Sequence, residues 1–95
     1  MPSTVVLYNT TAAEASDPFS VNAERTTFVA SGTYAGTESA VLQVKDHLNA
    51  WVDVVIEGTT QELSVSNTAL TVYGVGTFRF NKSSSAAAAG VSKAG

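Results

Sequence analysis

The segment SAVLQVKDHLNAWVDVVIEGTTQELSVS, residues 39–66, contains three short apolar runs separated by turn residues. In the first run, Leu42 and Val44 alternate with the polar residues Gln43 and Lys45. An alternation with a period of two predicts a β-strand in which one face is buried and the other faces water. We therefore expect Leu42 and Val44 to point into a core.

The same alternation extends over the flanking sequence. Phe28 and Ala30 alternate with Thr27 and Val29 before this segment, and Phe78 and Phe80 alternate with Thr77 and Arg79 after it. About seven or eight such runs, joined by short connections, are typical of an all-β, antiparallel Greek-key β-sandwich of the Ig-like or jelly-roll-like kind. A small closed barrel is the alternative, since it also buries alternate residues. Helix content should be close to nil.

The last part of the chain differs in composition. Residues 1–82 carry the strand pattern, whereas residues 83–95 are rich in Ser, Ala and Gly. Such a segment has too little apolar surface to offset the entropy lost on ordering, and four alanines are too short a run for an isolated helix. We therefore predict a β-sandwich domain followed by an extended C-terminal tail that lies along a neighbouring subunit as an arm. Its expected contact residues are Ser83, Ala86, Ala89 and Val91.

Composition limits the classes of function. The chain has 95 residues, a net charge of −3, only 14% charged residues and no cysteine. Its length predicts one domain, and the absence of cysteine excludes disulfides and thiolate metal sites. Basic residues are scattered, which does not favour nucleic-acid binding. A small domain without such cross-links gains stability from association, so we expect a homo-oligomer.

The sequence contains no recognisable catalytic or cofactor motif. The single histidine, His47, lies in a predicted turn, and zinc sites need several converging ligands. Gly74-Val75-Gly76 precedes a strand, whereas a phosphate-binding glycine loop opens a helix. No nucleophile elbow is present. We therefore expect no enzyme, no metal and no cofactor.

Aromatic residues are the remaining candidates for a binding role. Residues 51–56 predict one strand, with Trp51, Asp53 and Val55 on its outer face. Trp51 and Tyr34 are expected to be at least partly exposed, because aromatic residues are enriched at interfaces. Trp51, Val55 and Tyr34 are accordingly the predicted contact residues of the domain itself.

The N-terminal sequence Met1-Pro2-Ser3-Thr4 has no basic region, and the apolar run that follows is far too short for a signal peptide or a membrane span. We expect a protein that is made in the cytoplasm, without secretion through a cleaved leader, and is not associated with a membrane.

Several segments share a pattern of strands and glycine turns: Phe28-Val29-Ala30-Ser31-Gly32, Ala35-Gly36-Thr37-Glu38, Val41-Leu42-Gln43-Val44, Trp51-Val52-Asp53-Val54, Gln61-Glu62-Leu63 and Tyr73-Gly74-Val75-Gly76-Thr77-Phe78-Arg79-Phe80. Together these segments resemble small β-sandwich structural proteins of tailed bacteriophages. This resemblance covers over half of the chain and consists of strands and glycine turns. It implies a virion structural module and supplies no catalytic residues.

The resemblance and the low charge lead to one functional expectation. We expect a capsid decoration or cement subunit that binds the major capsid protein, or other virion subunits, on the outer surface of a phage head. A carbohydrate- or receptor-binding module, with Trp51 and Tyr34 as stacking platforms, is one alternative. A tail or baseplate component is the other.

Overall fold

The computed structural model describes residues 4–21, 25–73 and 76–93. All regular structure in these residues is β-strand, so the all-β prediction is confirmed. In chain order the strands are β1 (Thr4–Thr10), β2 (Glu14–Ala15), β3 (Phe19–Val21), β4 (Arg25–Gly32), β5 (Ser39–Lys45), β6 (Trp51–Asp53), β7 (Val55–Ile56), β8 (Thr59–Thr60), β9 (Glu62–Ser64), β10 (Ala69–Tyr73), β11 (Gly76–Lys82) and β12 (Ala89–Lys93).

Ten of these strands form two antiparallel sheets. Sheet I has the strand order β1-β12-β4-β10. Sheet II has β11 and β5 at its centre; β2 and β3 both pair with the outer side of β11, and β6 and β9 both pair with the outer side of β5. Strands β7 and β8 form a separate hairpin. The two sheets share one apolar core, an arrangement compatible with a β-sandwich.

Three phenylalanines connect the two sheets. The ring centroids of Phe28 in sheet I and Phe80 in sheet II lie 5.1 Å apart, with an edge-to-face angle of 68°. Phe19 packs against both, at 5.1 Å from Phe28 and 6.1 Å from Phe80. Each such pair contributes about 0.5–1.5 kcal/mol beyond simple burial. The alternation correctly predicted that Phe28, Phe80 and Leu42 face inwards, since all three are almost completely buried.

The edge of sheet II next to β11 is interrupted between β2 and β3. Pro18 has no backbone N–H and cannot continue the ladder. At this break the Phe80 N–H donates to the Ser16 Oγ at 2.9 Å, and the Ser16 N–H donates to the Phe80 carbonyl at 2.7 Å. The side chain of Ser16 thus replaces one ladder hydrogen bond, which explains why this serine is buried.

The predicted single strand over residues 51–56 is wrong. Its first half, β6, pairs with β5, and at Val54 the chain leaves sheet II. The Val54 N–H still donates to the Leu42 carbonyl, and the Gln61 N–H donates to the Val54 carbonyl. Beyond this junction, β7 and β8 pair with each other and with no other strand in the described ranges. Glu57 and Gly58 both have positive φ, the conformation of a two-residue hairpin turn whose twist matches the flanking strands.

The C-terminal segment corrects a second prediction. Instead of an arm on a neighbouring subunit, Ala89–Lys93 forms β12, which lies between β1 and β4 in the domain's own sheet. Ala89 and Val91 are completely buried, so they belong to the core. The predicted division between a domain of residues 1–82 and a tail of residues 83–95 is therefore wrong in the described part of the tail.

Small side chains allow β12 to fit between its neighbours. A Cβ at Gly90 would clash with the Leu7 carbonyl oxygen and the Asn9 side chain, and a Cβ at Gly32 would clash with the Ala88 carbonyl oxygen. Gly32 also has a φ of 73°, which disfavours any other residue. Small residues do permit close backbone approach, as expected, but the neighbouring backbones belong to the same subunit.

The connection between β11 and β12 is held by hydrogen bonds. Lys82 is only 2% exposed, and its ammonium group donates to the Ala12 and Ser83 carbonyls and to the Ser85 Oγ at 2.9–3.0 Å. The Ala86 N–H also donates to the Glu38 carboxylate at 3.0 Å. Because its three donors are satisfied, the buried ammonium orders the connection that leads into β12.

Truncating the chain after Ala88 should prevent cooperative folding, because β1 pairs only with β12 among the described strands and would lose its hydrogen-bonded neighbour. Removal of the buried Ala89 and Val91 also opens the core. Thermal unfolding followed by circular dichroism should show no cooperative transition. A truncated protein that melts like the full chain would contradict the intramolecular role of β12.

Candidate functional site

An aromatic residue flanked by two cations marks the outer face of sheet II. The Arg79 guanidinium carbon lies 4.7 Å from the centre of the Trp51 ring, and the Lys45 Nζ lies 5.4 Å from it. Trp51 is half-buried, as expected for a residue that is at least partly exposed. A cation over an indole face contributes about 0.5–1 kcal/mol at exposed sites.

Hydrogen bonds across three strands fix the position of Arg79. Its Nε donates to the Gln43 Oε1 at 2.7 Å, and the Gln43 Nε2 donates to the Asp53 Oδ1 at 2.9 Å. Strand register places Gln43 directly between Arg79 on β11 and Asp53 on β6. We refer to Trp51, Lys45, Arg79, Gln43 and Asp53 as the Trp51 cluster. It is an ordered polar surface around one aromatic ring.

Sequence reasoning identified Trp51 but missed its partners. Gln43, Lys45 and Arg79 were recognised only as outward-facing positions of their strands. Their association depends on the register between β5, β6 and β11, which alternation within each strand does not specify. The sequence predicts that these side chains face outwards, but it does not predict which strands lie next to each other.

The β7–β8 hairpin presents apolar residues to water. Val55 is 55% exposed and Ile56 is 54% exposed. Because successive residues of a strand point to opposite sides, each face of the hairpin presents one apolar residue of β7, Val55 opposite Thr60 and Ile56 opposite Thr59. Val55 was predicted to be a contact residue, and the structure leaves it accessible. The exposure of Ile56 is a consequence of the chain leaving the sheet at Val54.

An apolar groove lies on the flank between β10 and the β7–β8 hairpin. Its volume is about 210 Å³, and we call it the β10 groove. Its lining includes Leu42, Val44, Val54, Ile56, Leu70 and Val72. On the opposite flank, a groove of about 300 Å³ lies between β1 and β3 and also includes the polar residues Asp17 and Lys93. The β10 groove is thus the less polar of the two.

Tyr34 is buried, contrary to the prediction that it is at least partly exposed. Only 5% of its surface is accessible, and its hydroxyl donates to the Gly90 carbonyl at 2.9 Å. Burial raises the pKa of Tyr34 to about 12. Tyr34 therefore anchors β12 to the loop after β4, and its ring is not available as a stacking platform.

The two other predicted contact residues lie in the connection before β12. Ser83 and Ala86 are exposed, and their backbone N–H groups are bonded to Ser39 and Glu38. They remain accessible for contact with another molecule, but as parts of an ordered connection within the domain.

The titratable residues do not form a compact group in the described part of the chain. His47 is exposed in the turn after β5, where Asp46 Oδ1 accepts hydrogen bonds from the Leu48 and Ala50 N–H groups. No group of three or more His, Cys, Asp or Glu residues suited to a metal ion occurs among the residues described. The Gly74-Val75 part of the glycine motif lies outside the described residues.

Comparison of the chain with family models, curated proteins and solved structures gives no match. The described residues also include no helix with the length and apolar character needed to cross a membrane. The surfaces described above therefore carry the functional argument.

Tyr34 should give the protein a distinct stability profile at high pH. Because its folded pKa of about 12 lies above the ordinary value of 10.0, the stability gained from the neutral phenol is present below pH 10 and is lost as the pH rises through about 12. Tyr34→Phe should cost about 1 kcal/mol at neutral pH, through loss of one hydrogen bond.

Urea unfolding at neutral pH and at pH 11 measures both effects. The wild type should lose more stability between these two pH values than Tyr34→Phe, which retains the titration of all other groups. An equal loss in the two proteins would contradict a buried, neutral Tyr34.

Proposed function

We propose that this chain is a non-enzymatic virion structural protein, a capsid decoration or cement subunit that attaches to the outer surface of a phage head. The observation that carries the proposal is the apolar β7–β8 hairpin, which leaves sheet II and exposes Val55 beside the Trp51 cluster. Exposed apolar area next to polar, ordered residues is characteristic of protein contact surfaces.

The composition of the surface supports attachment to many identical sites. Only 14% of the residues are charged, so two such surfaces approach each other with little electrostatic repulsion. A hairpin of two-residue strands also has few contacts of its own and gains order when a partner covers it. Attachment would then bury Val55 and part of Trp51 against the major capsid protein or another virion subunit.

Self-association is part of the same proposal. The domain is small and contains no disulfide, and it gains stability when further apolar surface is buried between copies.

We also propose that the fold is a Greek-key sandwich of the Ig-like or jelly-roll-like kind. This proposal is supported by the path of the chain, which repeatedly crosses from one sheet to the other. It crosses between β4 and β5, between β9 and β10, and between β11 and β12. Location in the tail or baseplate is the alternative within the virion.

A carbohydrate- or receptor-binding module is the second candidate function, and the Trp51 cluster favours it. Sugar sites combine an aromatic ring with fixed hydrogen-bonding groups, and Gln43, Asp53 and Arg79 are fixed beside the ring by mutual hydrogen bonds. Against it, Arg79 already lies over the indole, which reduces the ring area open to a sugar. We therefore rank this candidate below attachment to a capsid.

Val55→Lys should weaken attachment to particles at least about tenfold, because an unpaired ammonium would be buried at the contact. The isolated domain should melt normally, since Val55 is exposed. Val5→Lys is the matched control: Val5 is 48% exposed and lies on β1, in the other sheet. Co-sedimentation of each variant with particles measures the effect. Equal attachment of both variants and the wild type would show that the hairpin is not the contact surface.

Trp51→Ala tests the carbohydrate-binding candidate. If the domain binds glycans through the Trp51 cluster, a glycan array should show binding by the wild type and by Tyr8→Ala but not by Trp51→Ala; Tyr8 is a 78% exposed residue on β1. Trp51→Ala removes the aromatic face against which a sugar ring would pack. Absence of any glycan signal for the wild type would eliminate this candidate and leave the attachment proposal standing.

A further inference from the structure

Strand β10 forms an open edge of sheet I. Among the described strands it pairs only with β4. Its sequence, Ala-Leu-Thr-Val-Tyr, contains no charge and no proline. Edge strands that remain single in water carry charges, prolines or bulges that prevent pairing with another strand. The residues of β10 include none of these features, so the edge is suited to receive another strand.

The backbone of β10 is arranged for symmetric pairing. The Ala30 N–H donates to the Thr68 carbonyl at 2.8 Å, and hydrogen-bonded pairs alternate along an antiparallel ladder. Leu70 and Val72 therefore direct their backbone groups to β4, whereas Ala69, Thr71 and Tyr73 direct theirs to the open edge. The middle residue of the strand, Thr71, thus has an outward N–H and an outward carbonyl.

We propose that a second copy of this chain pairs with β10 through its own β10, antiparallel and about a two-fold axis at Thr71. In this register the two Thr71 residues exchange both backbone hydrogen bonds, and Ala69 of each copy does the same with Tyr73 of the other. A contact of this kind is self-complementary, as two-fold interfaces require. It joins the two copies of sheet I into one continuous sheet.

Charge favours a second copy as the occupant. A two-fold contact places each residue near its own counterpart, so a charged residue near the axis would face a like charge. Neither β10 nor the apolar hairpin residues beside the β10 groove carry a charge; Glu57 lies in the hairpin turn, and Arg25 on β4 pairs with Tyr73 at the end of β10, away from the axis at Thr71. The contact therefore contains no like-charge pair at its centre.

The same pairing closes the β10 groove. An antiparallel pair related by a two-fold axis keeps the inner faces of both copies on the same side. The groove of each copy then faces that of the other, with Leu70, Val72 and Ile56 on both sides. Apolar surface that is open in one chain becomes the interior of the dimer, and burial of such surface stabilises the contact.

The β10 pairing is the contact through which the self-association in the proposed function would occur, and it rests on the proposed function only for that self-association. Val55 points to the other side of the hairpin from Ile56 and remains free for attachment to a particle. Measuring the free protein separates the two ideas, since a failure of particle attachment would leave the dimer unaffected.

Sedimentation velocity over a concentration series tests the dimer. The wild type should form a dimer, and Thr71→Lys should raise the dimer dissociation constant at least about tenfold, because two ammonium groups would meet at the axis. Thr71→Val, which also removes the hydrogen bond between the Thr71 and Thr27 hydroxyls, should still dimerise. Thr27→Lys places the same charge on the same face of sheet I, one strand away from the edge, and should have little effect.

Thr71→Pro provides an independent test that adds no charge. It removes an N–H that points away from β4, so the single domain retains its ladder while the dimer loses hydrogen bonds at its axis. Circular dichroism and thermal unfolding verify that each variant folds. A wild type that stays monomeric at its highest soluble concentration, or a dimer that persists in both Thr71→Lys and Thr71→Pro, would overturn the proposal.

Discussion

The insertion of β12 between β1 and β4 is the constraint on which sheet I depends. Without β12, β1 has no partner among the described strands, and β4 loses one of its two neighbours. The fit is steric as well as hydrogen-bonded, because Gly90 leaves no room for a Cβ beside the Leu7 carbonyl. The Tyr34 hydroxyl donates to Gly90 near the start of β12, and the buried Lys82 ammonium holds the connection that leads into this strand. The first and last strands of the chain therefore depend on each other for their order.

The centre of the domain and its flank next to β10 differ in packing. At the centre, Phe19, Phe28 and Phe80 pack closely between the sheets. At the flank next to β10, core residues such as Leu42 and Val44 line a groove. A core that reaches the surface on one side combines a stable domain with apolar area for association. The proposed contacts with a particle and with a second copy both use this side of the molecule.

The Trp51 cluster is held in place by more hydrogen bonds to its sheet than the β7–β8 hairpin is. Hydrogen bonds from Arg79 through Gln43 to Asp53 fix the cluster on a paired region of sheet II. The hairpin begins where this pairing ends, and among the described strands β7 and β8 pair with no others. Such a pair of surfaces suits contact with another protein. The ordered polar residues of the Trp51 cluster would orient the partner, and burial of the apolar hairpin residues would add affinity.

Alternation along the sequence by itself determined that the chain is all-β and that Phe28, Leu42 and Phe80 face inwards, because a large apolar side chain beside polar neighbours has only one favourable direction in a strand. Tertiary structure alone decided the place of Ala89–Lys93 and the burial of Tyr34. Residues such as Ala, Gly and Ser have little apolar surface, so their burial changes the free energy of folding only slightly. The sequence therefore does not show whether they are buried. Their order comes from backbone hydrogen bonds and close contacts with strands that are distant in the chain, and such pairings exist only once the sheets have assembled.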